Sequence, residues 1–275
     1  MKHNIFFCAI TFLVFNIAVS GQETATLEYQ IEKDLLYINP ADVDEYRVEK
    51  CRMDFYYPKD SKNYPTLVWF HGGGLTGGTK AIPQELKNQG FAVIAATYRL
   101  SPRAKAPAYI EDAAEVVAWA FANIENYGGS KEKIYVGGYS AGAYLTCMIG
   151  LEKKWLGRHR INADKIAGLL PMSSQCITHY TIRKERGIAD TQPVIDEYAP
   201  LFHVRNDAPP MLLVTGDREL EMLGRYEENA YMNRMMKLAG HKRTTLYELD
   251  GYNHGGMIKG AYPLMIRFIK EKPNP

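Results

Sequence analysis

The hydrophobic positions fall into short unbroken blocks separated by longer amphipathic stretches. Thr244 to Leu249 reads as the last strand, and Thr66 to Phe70, Phe91 to Tyr98, Lys133 to Gly137, Ile166 to Met172 and Pro210 to Thr215 are mostly apolar and do not alternate. Such runs predict strands buried on both faces, as in a parallel sheet. The stretches between them predict helices. Tyr109 to Tyr127 carries Ile110, Ala113, Ala114, Val117, Ala118, Phe121 and Ile124 at helical spacing. Lys80 to Gln89, Ala143 to Gly150, Met222 to Leu238 and Gly256 to Lys270 read the same way, and Gly90 and Gly240 stop two of them. Leu27 to Ile38 and Asp44 to Tyr57 alternate and predict two opening strands. Arg47, Glu49, Cys51, Met53 and Phe55 would share one face of the second. Strands alternating with helices make the fold class α/β, a mostly parallel central sheet with helices on both faces. The rhythm breaks from Ser173 to Leu201, which reads as a short cap-like insertion in one domain spanning residues 21–275.

The first twenty residues follow another pattern. Lys2 supplies a positive charge, Ile5 to Val19 is almost wholly apolar, and Ala18-Val19-Ser20 is small. This predicts a signal peptide over residues 1–20, cleaved near Ser20 or Gly21, and export to the periplasm or the outside. The apolar run is shorter than the ~20 residues of a spanning helix, so no membrane span is expected in the mature chain. Of the 4 cysteines, Cys8 lies in this leader. Cys51, Cys147 and Cys176 remain, which allows one pairing at most, and a fold that depends on a disulfide is not expected. The net charge of +2 over 275 residues argues against a nucleic-acid partner. No C-x-x-C pair suggests zinc, and no phosphate-loop motif is present, so neither a metal nor a cofactor is expected.

The chemistry gathers on Gly138-Tyr139-Ser140-Ala141-Gly142. Its G-x-S-x-G pattern lies between a predicted strand and a predicted helix, where a sharp turn can lift the serine hydroxyl off the sheet. A serine hydroxyl needs a base, an acid to orient that base, and donors for the oxyanion. His254, in the loop between the last strand and the last helix, is the candidate base. The other histidines fall in the leader (His3), the glycine loop (His71), charged surface stretches (His159, His241) or the insertion and its exit (His179, His203). The loop after the strand ending at Thr215 offers two competing carboxylates, Asp217 and Glu219. His71-Gly72-Gly73-Gly74 follows a buried strand, and its glycine density suits backbone donors to an oxyanion.

His-Gly-Gly-Gly, Tyr-Arg-Leu-Ser-Pro, Gly-Tyr-Ser-Ala-Gly and Gly-Tyr-Asn-His-Gly, in this order, resemble the α/β-hydrolase superfamily, and within it the hormone-sensitive-lipase-like and BD-FAE-like esterases. The resemblance implies a Ser-His-acid triad of Ser140, His254 and Glu219, the last because the family's acid stands at G-x-x-D after the strand. Asp217 is the alternative acid. It also implies an oxyanion hole from Gly72, Gly73 and Ala141, with Gly74 as a further candidate. The expected activity is a secreted carboxylic ester hydrolase acting on a small-molecule or carbohydrate-linked ester, such as an acetyl or feruloyl sugar. Tyr180, Arg183, Arg186 and Tyr198 of the insertion would shape its pocket. The alternatives are a serine peptidase or amidase of this fold, or a binding protein on a hydrolase scaffold. The oligomeric state is left open.

Overall fold

The computed structural model describes residues 1, 27–42 and 44–271. The expected signal peptide, residues 1–20, lies outside the described residues apart from Met1. Eight strands form one sheet: β1 (Tyr29–Leu36), β2 (Arg52–Pro58), β3 (Tyr64–Phe70), β4 (Ala92–Ala96), β5 (Gly129–Tyr139), β6 (Gly168–Met172), β7 (Met211–Gly216) and β8 (Thr244–Leu249). Their order is β1-β2-β4-β3-β5-β6-β7-β8. β2 pairs antiparallel with β1 and β4, and the other neighbours are parallel. The helices are α1 (Glu45–Lys50), α2 (Ala108–Asn123), α3 (Ala141–Leu151), α4 (Lys153–Gly157), α5 (Tyr180–Glu185), α6 (Arg225–Leu238) and α7 (His254–Lys270).

The unbroken apolar runs are explained by a sheet covered on both faces. In β3, Val68 and Phe70 join the cluster packed under α2 and α3, whereas Leu67 and Trp69 join the cluster formed with Met257, Ala261, Met265 and Ile269 of α7. Alternate residues of one strand thus enter two separate cores, and both sides of the strand are apolar from Leu67 to Phe70.

Two expected elements are different. Asp44 to Lys50 is not the start of a strand. Asp44 caps a short helix, its side chain accepting from Arg47 N at 2.9 Å, and the strand begins only at Arg52. An N-cap aspartate followed by good helix formers outweighs a weak alternation. Met53 and Phe55 do share the buried face of β2, but Arg47 and Glu49 belong to the helix. Lys80 to Gln89 is not a helix either, apart from a single 3₁₀ turn over Gln84–Leu86. Pro83 cannot continue a helix from before it. In addition, Lys80 is held by Asp34 and Asp54 at 2.8 and 2.6 Å, which fixes the segment in an irregular path. The helix expected from Met222 begins at Arg225, because Gly224 turns the chain at φ 76°.

What matters for chemistry is that five parallel strands end together. Phe70 stands opposite Gly138, Gly138 opposite Pro171, Met172 opposite Val214, and Gly216 opposite Leu249. The segments that follow carry His71, Ser140, Ser173, Asp217 to Gly224, and His254 at the start of α7. They converge on one edge, the place where open α/β sheets bind ligands.

Candidate active site

Ser140 sits between β5 and α3 with φ 55° and ψ −115°. A non-glycine residue in this region is strained by roughly 1–3 kcal/mol, and the surroundings must hold it there. They do so from both sides: Ser140 N donates to Met172 O at 2.8 Å, and Ser140 O accepts from Tyr144 N at 3.0 Å. The flanking glycines are steric necessities. A Cβ on Gly142 would overlap the Phe70 carbonyl, and one on Gly138 would overlap the backbone of Gly142. The turn is therefore too tight for any other residue at either position.

His254 opens α7. Asn253 caps that helix, its Oδ1 accepting from Gly256 N at 2.8 Å. The imidazole Nε2 lies 3.0 Å from Ser140 Oγ. The ring stacks on Tyr139 at 5.0 Å, and the Tyr139 hydroxyl donates to the His254 carbonyl at 2.7 Å. On its other side, Nδ1 is 2.5 Å from Oε1 of Glu221. A carboxylate can only accept there, so the proton belongs on Nδ1 and the Nε2 lone pair faces the serine hydroxyl.

The carboxylate against His254 is therefore Glu221, and the expectation of Glu219, with Asp217 as alternative, is corrected. Glu219 is exposed, and its carboxylate makes no hydrogen bond or ion pair among the described residues. Asp217 is a brace: Oδ1 accepts from Glu219 N and Oδ2 from Gly251 N, each at 2.8 Å. Its carbonyl takes Leu220 N at 3.0 Å and Glu221 N at 2.8 Å. That turn coils the loop, so the residue reaching back to the sheet comes two positions later than the family spacing implies. Glu221 has a fully buried side chain. Its Oε2 accepts from the Ser173 hydroxyl at 2.9 Å and from Gly216 N at 3.2 Å, and its Oε1 from Met222 N at 2.9 Å. Burial works to raise its carboxyl, but the bonds from His254, Met222 and Ser173 outweigh it and hold the group down at about 2. One signal in the sequence pointed this way: of the three acids at 217, 219 and 221, only Glu221 is flanked on both sides by apolar residues, Leu220 and Met222.

Gly72 lies against Ser140, where a Cβ on the glycine would come within 3.3 Å of the serine Cβ. Gly73, at φ 113°, accepts Thr76 N and Gly77 N at 3.0 Å each, which closes the loop on itself. Among the described residues the backbone N–H groups of Gly72 and Gly73 enter no hydrogen bond. Ala141 is the first residue of α3, so its N–H has no acceptor within the helix. His71 is structural. Its ring stacks on Tyr98 at 4.5 Å, its Nδ1 donates to Gly72 O at 2.6 Å, and burial lowers its pKa. The Tyr98 hydroxyl in turn holds the His71 carbonyl at 2.8 Å. The insertion clamps the same loop from above, with the Thr181 hydroxyl donating to Gly74 O at 2.5 Å. Of the pocket-shaping candidates, Tyr180 lies against Gly74. Arg186 pairs with Asp196 at 2.7 Å and stacks over Tyr198. The Nη1 of Arg183 donates to Asp190 O at 2.8 Å.

Other histidines are spent elsewhere: His179 Nδ1 accepts from Thr181 N, His203 donates to Glu197 O, and His241 is held by Thr244 and Ala208. Cys51, Cys147 and Cys176 are all free and buried. Among the described residues no group of acidic, His or Cys side chains could hold a metal ion, and no helix is long and apolar enough to cross a membrane. A cavity of about 750 Å³ opens between the insertion and the acid loop, walled by Ile177, Tyr180, Pro193, Met222, Arg225 and Glu228. A slightly larger hollow of about 800 Å³ includes Pro65, Phe91 and Ala167. These residues mark the amino ends of the strands, the far side from Ser140, whereas the first cavity borders the loop that carries Glu221.

Residues 53–166 match the family model BD-FAE. The match takes in the glycine loop and Ser140 and ends before Glu221 and His254. Esterase LipC of Mycobacterium tuberculosis (strain ATCC 25618 / H37Rv) is 25% identical over 235 residues, 76% of this chain and 58% of that protein. Esterase LipQ of the same organism is 24% identical over 216 residues, 69% of this chain and 50% of that protein. The chain thus spans about half the length of these curated relatives. Among solved structures, a truncated form of a carbohydrate esterase from gut microbiota superposes with a TM-score of 0.74 at 18% identity, covering 90% of this chain and 97% of that one. An esterase of Pyrobaculum calidifontis superposes with a TM-score of 0.65 at 22% identity, over 80% of each chain. At such identities the likeness shows a shared fold.

Proposed function

From a chain that has the α/β-hydrolase fold and resembles the BD-FAE-like esterases, we propose a serine-dependent carboxylic ester hydrolase in which Ser140 is the nucleophile, His254 the base and Glu221 the acid. The observation that carries this reading is the unbroken relay: Ser140 Oγ to His254 Nε2 at 3.0 Å, and His254 Nδ1 to Glu221 Oε1 at 2.5 Å. His254 takes the serine proton as Oγ attacks the ester carbonyl, and later returns it to the leaving alcohol. Glu221 stays ionised, fixes the tautomer and stabilises the imidazolium. The carbonyl oxygen, as it gains charge, is met by the N–H of Ala141 at the start of α3 and by those of Gly72 and Gly73. Water then attacks the acyl-serine by the same path, and the acid leaves.

The finer reading is an ester carried on a carbohydrate. It is supported by two structural neighbours, the gut carbohydrate esterase and a bifunctional GH43-CE protein of Bacteroides eggerthii. The signal-peptide pattern of residues 1–20 supports action outside the cytoplasm. N-terminal sequencing of the mature protein should begin near residue 21.

The test of the activity is turnover of p-nitrophenyl acetate. The wild type should hydrolyse it, and Ser140→Ala should lose several orders of magnitude in kcat, about 10⁶-fold in the most complete precedent for removing a serine nucleophile. Equal rates from the two proteins would overturn the reading, and cleavage of anilides in preference to esters would move it to an amidase. Release of acetate or ferulate from acetylated and feruloylated xylans tests the carbohydrate step.

A further inference from the structure

Ser173 follows β6, and its side chain points at the junction between His254 and Glu221. The residue is fully buried and has φ 54°. Its hydroxyl lies 2.9 Å from Glu221 Oε2 and 3.0 Å from His254 Nδ1. Its backbone is fixed at both ends. The N–H donates to Val214 O at 2.7 Å, and the carbonyl accepts from Nη1 of the buried Arg225 at 2.5 Å. We propose that Ser173 is a positioning residue of the catalytic relay, its hydroxyl locking the Glu221 carboxylate and the His254 ring in the geometry that aims Nε2 at Ser140. The inference rests on the esterase reading above.

The proton inventory permits one arrangement. Glu221 is an ionised acceptor, and Nδ1 carries hydrogen. The serine hydroxyl has a single proton, which goes to Glu221 Oε2. Its lone pairs then face Nδ1–H, which is shared between Glu221 Oε1 and Ser173 Oγ. Rotation of the imidazole about its Cβ–Cγ bond would lose both acceptors at once. Rotation of the carboxylate would break the bonds from Ser173 and Gly216 together. The backbone points the same way. At φ 54° glycine is the unstrained residue, and serine is not. What serine has and glycine lacks is the hydroxyl, and here it is spent entirely on the relay. An observed backbone outlier of this kind is a pointer to function.

The contrast between the two residues supplies the experiment. Ser173→Gly relieves the backbone and removes the hydroxyl; Ser173→Ala removes the hydroxyl and keeps the strain. Both variants of the full chain are assayed with p-nitrophenyl acetate, with Ser140→Ala as the blank. Both should lose kcat by at least about tenfold, toward the roughly 100-fold that a 1 Å misplacement costs, with KM changed less than about threefold. If the hydroxyl served only to hold the strained backbone, Ser173→Gly, which relieves that strain, would retain kcat while Ser173→Ala would not; kcat within twofold of wild type in either variant overturns the proposal. A second readout needs no substrate. The Nδ1 proton of His254 should give a low-field ¹H resonance in the wild type that moves in Ser173→Gly, and an unmoved resonance also overturns the proposal. Absence of Ser140-dependent turnover in the wild type would count against the esterase reading, and the resonance would still judge Ser173.

Discussion

Glu221 shows how one side chain can be held charged inside a protein. A carboxylate with no exposed surface is costly unless its oxygens are filled, and here four donors fill them: His254 Nδ1, Ser173 Oγ, Gly216 N and Met222 N. The same bonds make a prediction about acid. The group's ordinary value of 4.5 falls to about 2 in the fold. A depressed carboxylate contributes stability that is present above pH 4.5 and lost as the pH drops toward 2. The melting temperature of the wild type should therefore exceed that of Glu221→Gln by a margin that narrows between about pH 5 and pH 3. A margin that stays constant with pH would show that the charge is not what the fold rewards. Ser140 and His254 were legible in the sequence because each sits in a motif whose spacing comes from a strand and a turn. Glu221 was marked only by its apolar neighbours Leu220 and Met222, because its position depends on the Asp217 turn, and the carbonyl of Asp217 that coils the loop leaves no mark on the residue pattern. Ser173 was hidden too: a serine at the start of an insertion looks like any loop serine.

At the scale of elements, the glycine loop after β3 is built between two neighbours. From below, Tyr98 and His71 stack and exchange a hydrogen bond with the loop's own backbone. From above, Tyr180 and Thr181 in the first turn of α5 press on Gly74. The insertion is thus a brace on the loop as well as a wall of the cavity. Gly74 has φ 63°, and a Cβ there would overlap the Tyr180 hydroxyl. Gly74→Ala should lower kcat/KM for p-nitrophenyl acetate by about tenfold or more, since shifting one oxyanion donor typically costs 100- to 1,000-fold when it is lost outright. Truncating the opposing side chain in Gly74→Ala/Tyr180→Ala should recover part of that loss, and no recovery would argue that the clash is not the cause. The buried strands were readable because both faces of the sheet are covered. The α1 segment was not legible because six residues are too few for either period to dominate, and the Asp44 cap decides the matter.

For the molecule as a whole, the segment after β4 is tied to α2 and α1 through one buried carboxylate. Arg99, just after Tyr98, grips the fully buried Asp112 of α2 through Nε at 2.8 Å and Nη2 at 2.7 Å, and Asp112 also accepts from Arg99 N at 2.9 Å. Arg47 approaches the same carboxylate at 3.5 Å. Asp112→Ala would leave a mostly buried guanidinium without its partner, at a cost of about 3–5 kcal/mol. The melting temperature should drop by roughly 10 °C. A drop of only a degree or two would mean that Arg99 finds water or another acceptor. The central claim is that the relay ends on Glu221. Its most direct test measures kcat on p-nitrophenyl acetate for Glu221→Gln, Glu219→Gln and Asp217→Asn side by side, each checked for folding. The relay geometry predicts that Glu221→Gln alone falls by about 10⁴-fold, the scale seen when a triad acid becomes an amide. Glu219→Gln should stay near wild type, and Asp217→Asn should lose only what a loosened loop costs. A collapse in Glu219→Gln or Asp217→Asn with Glu221→Gln unharmed would contradict it.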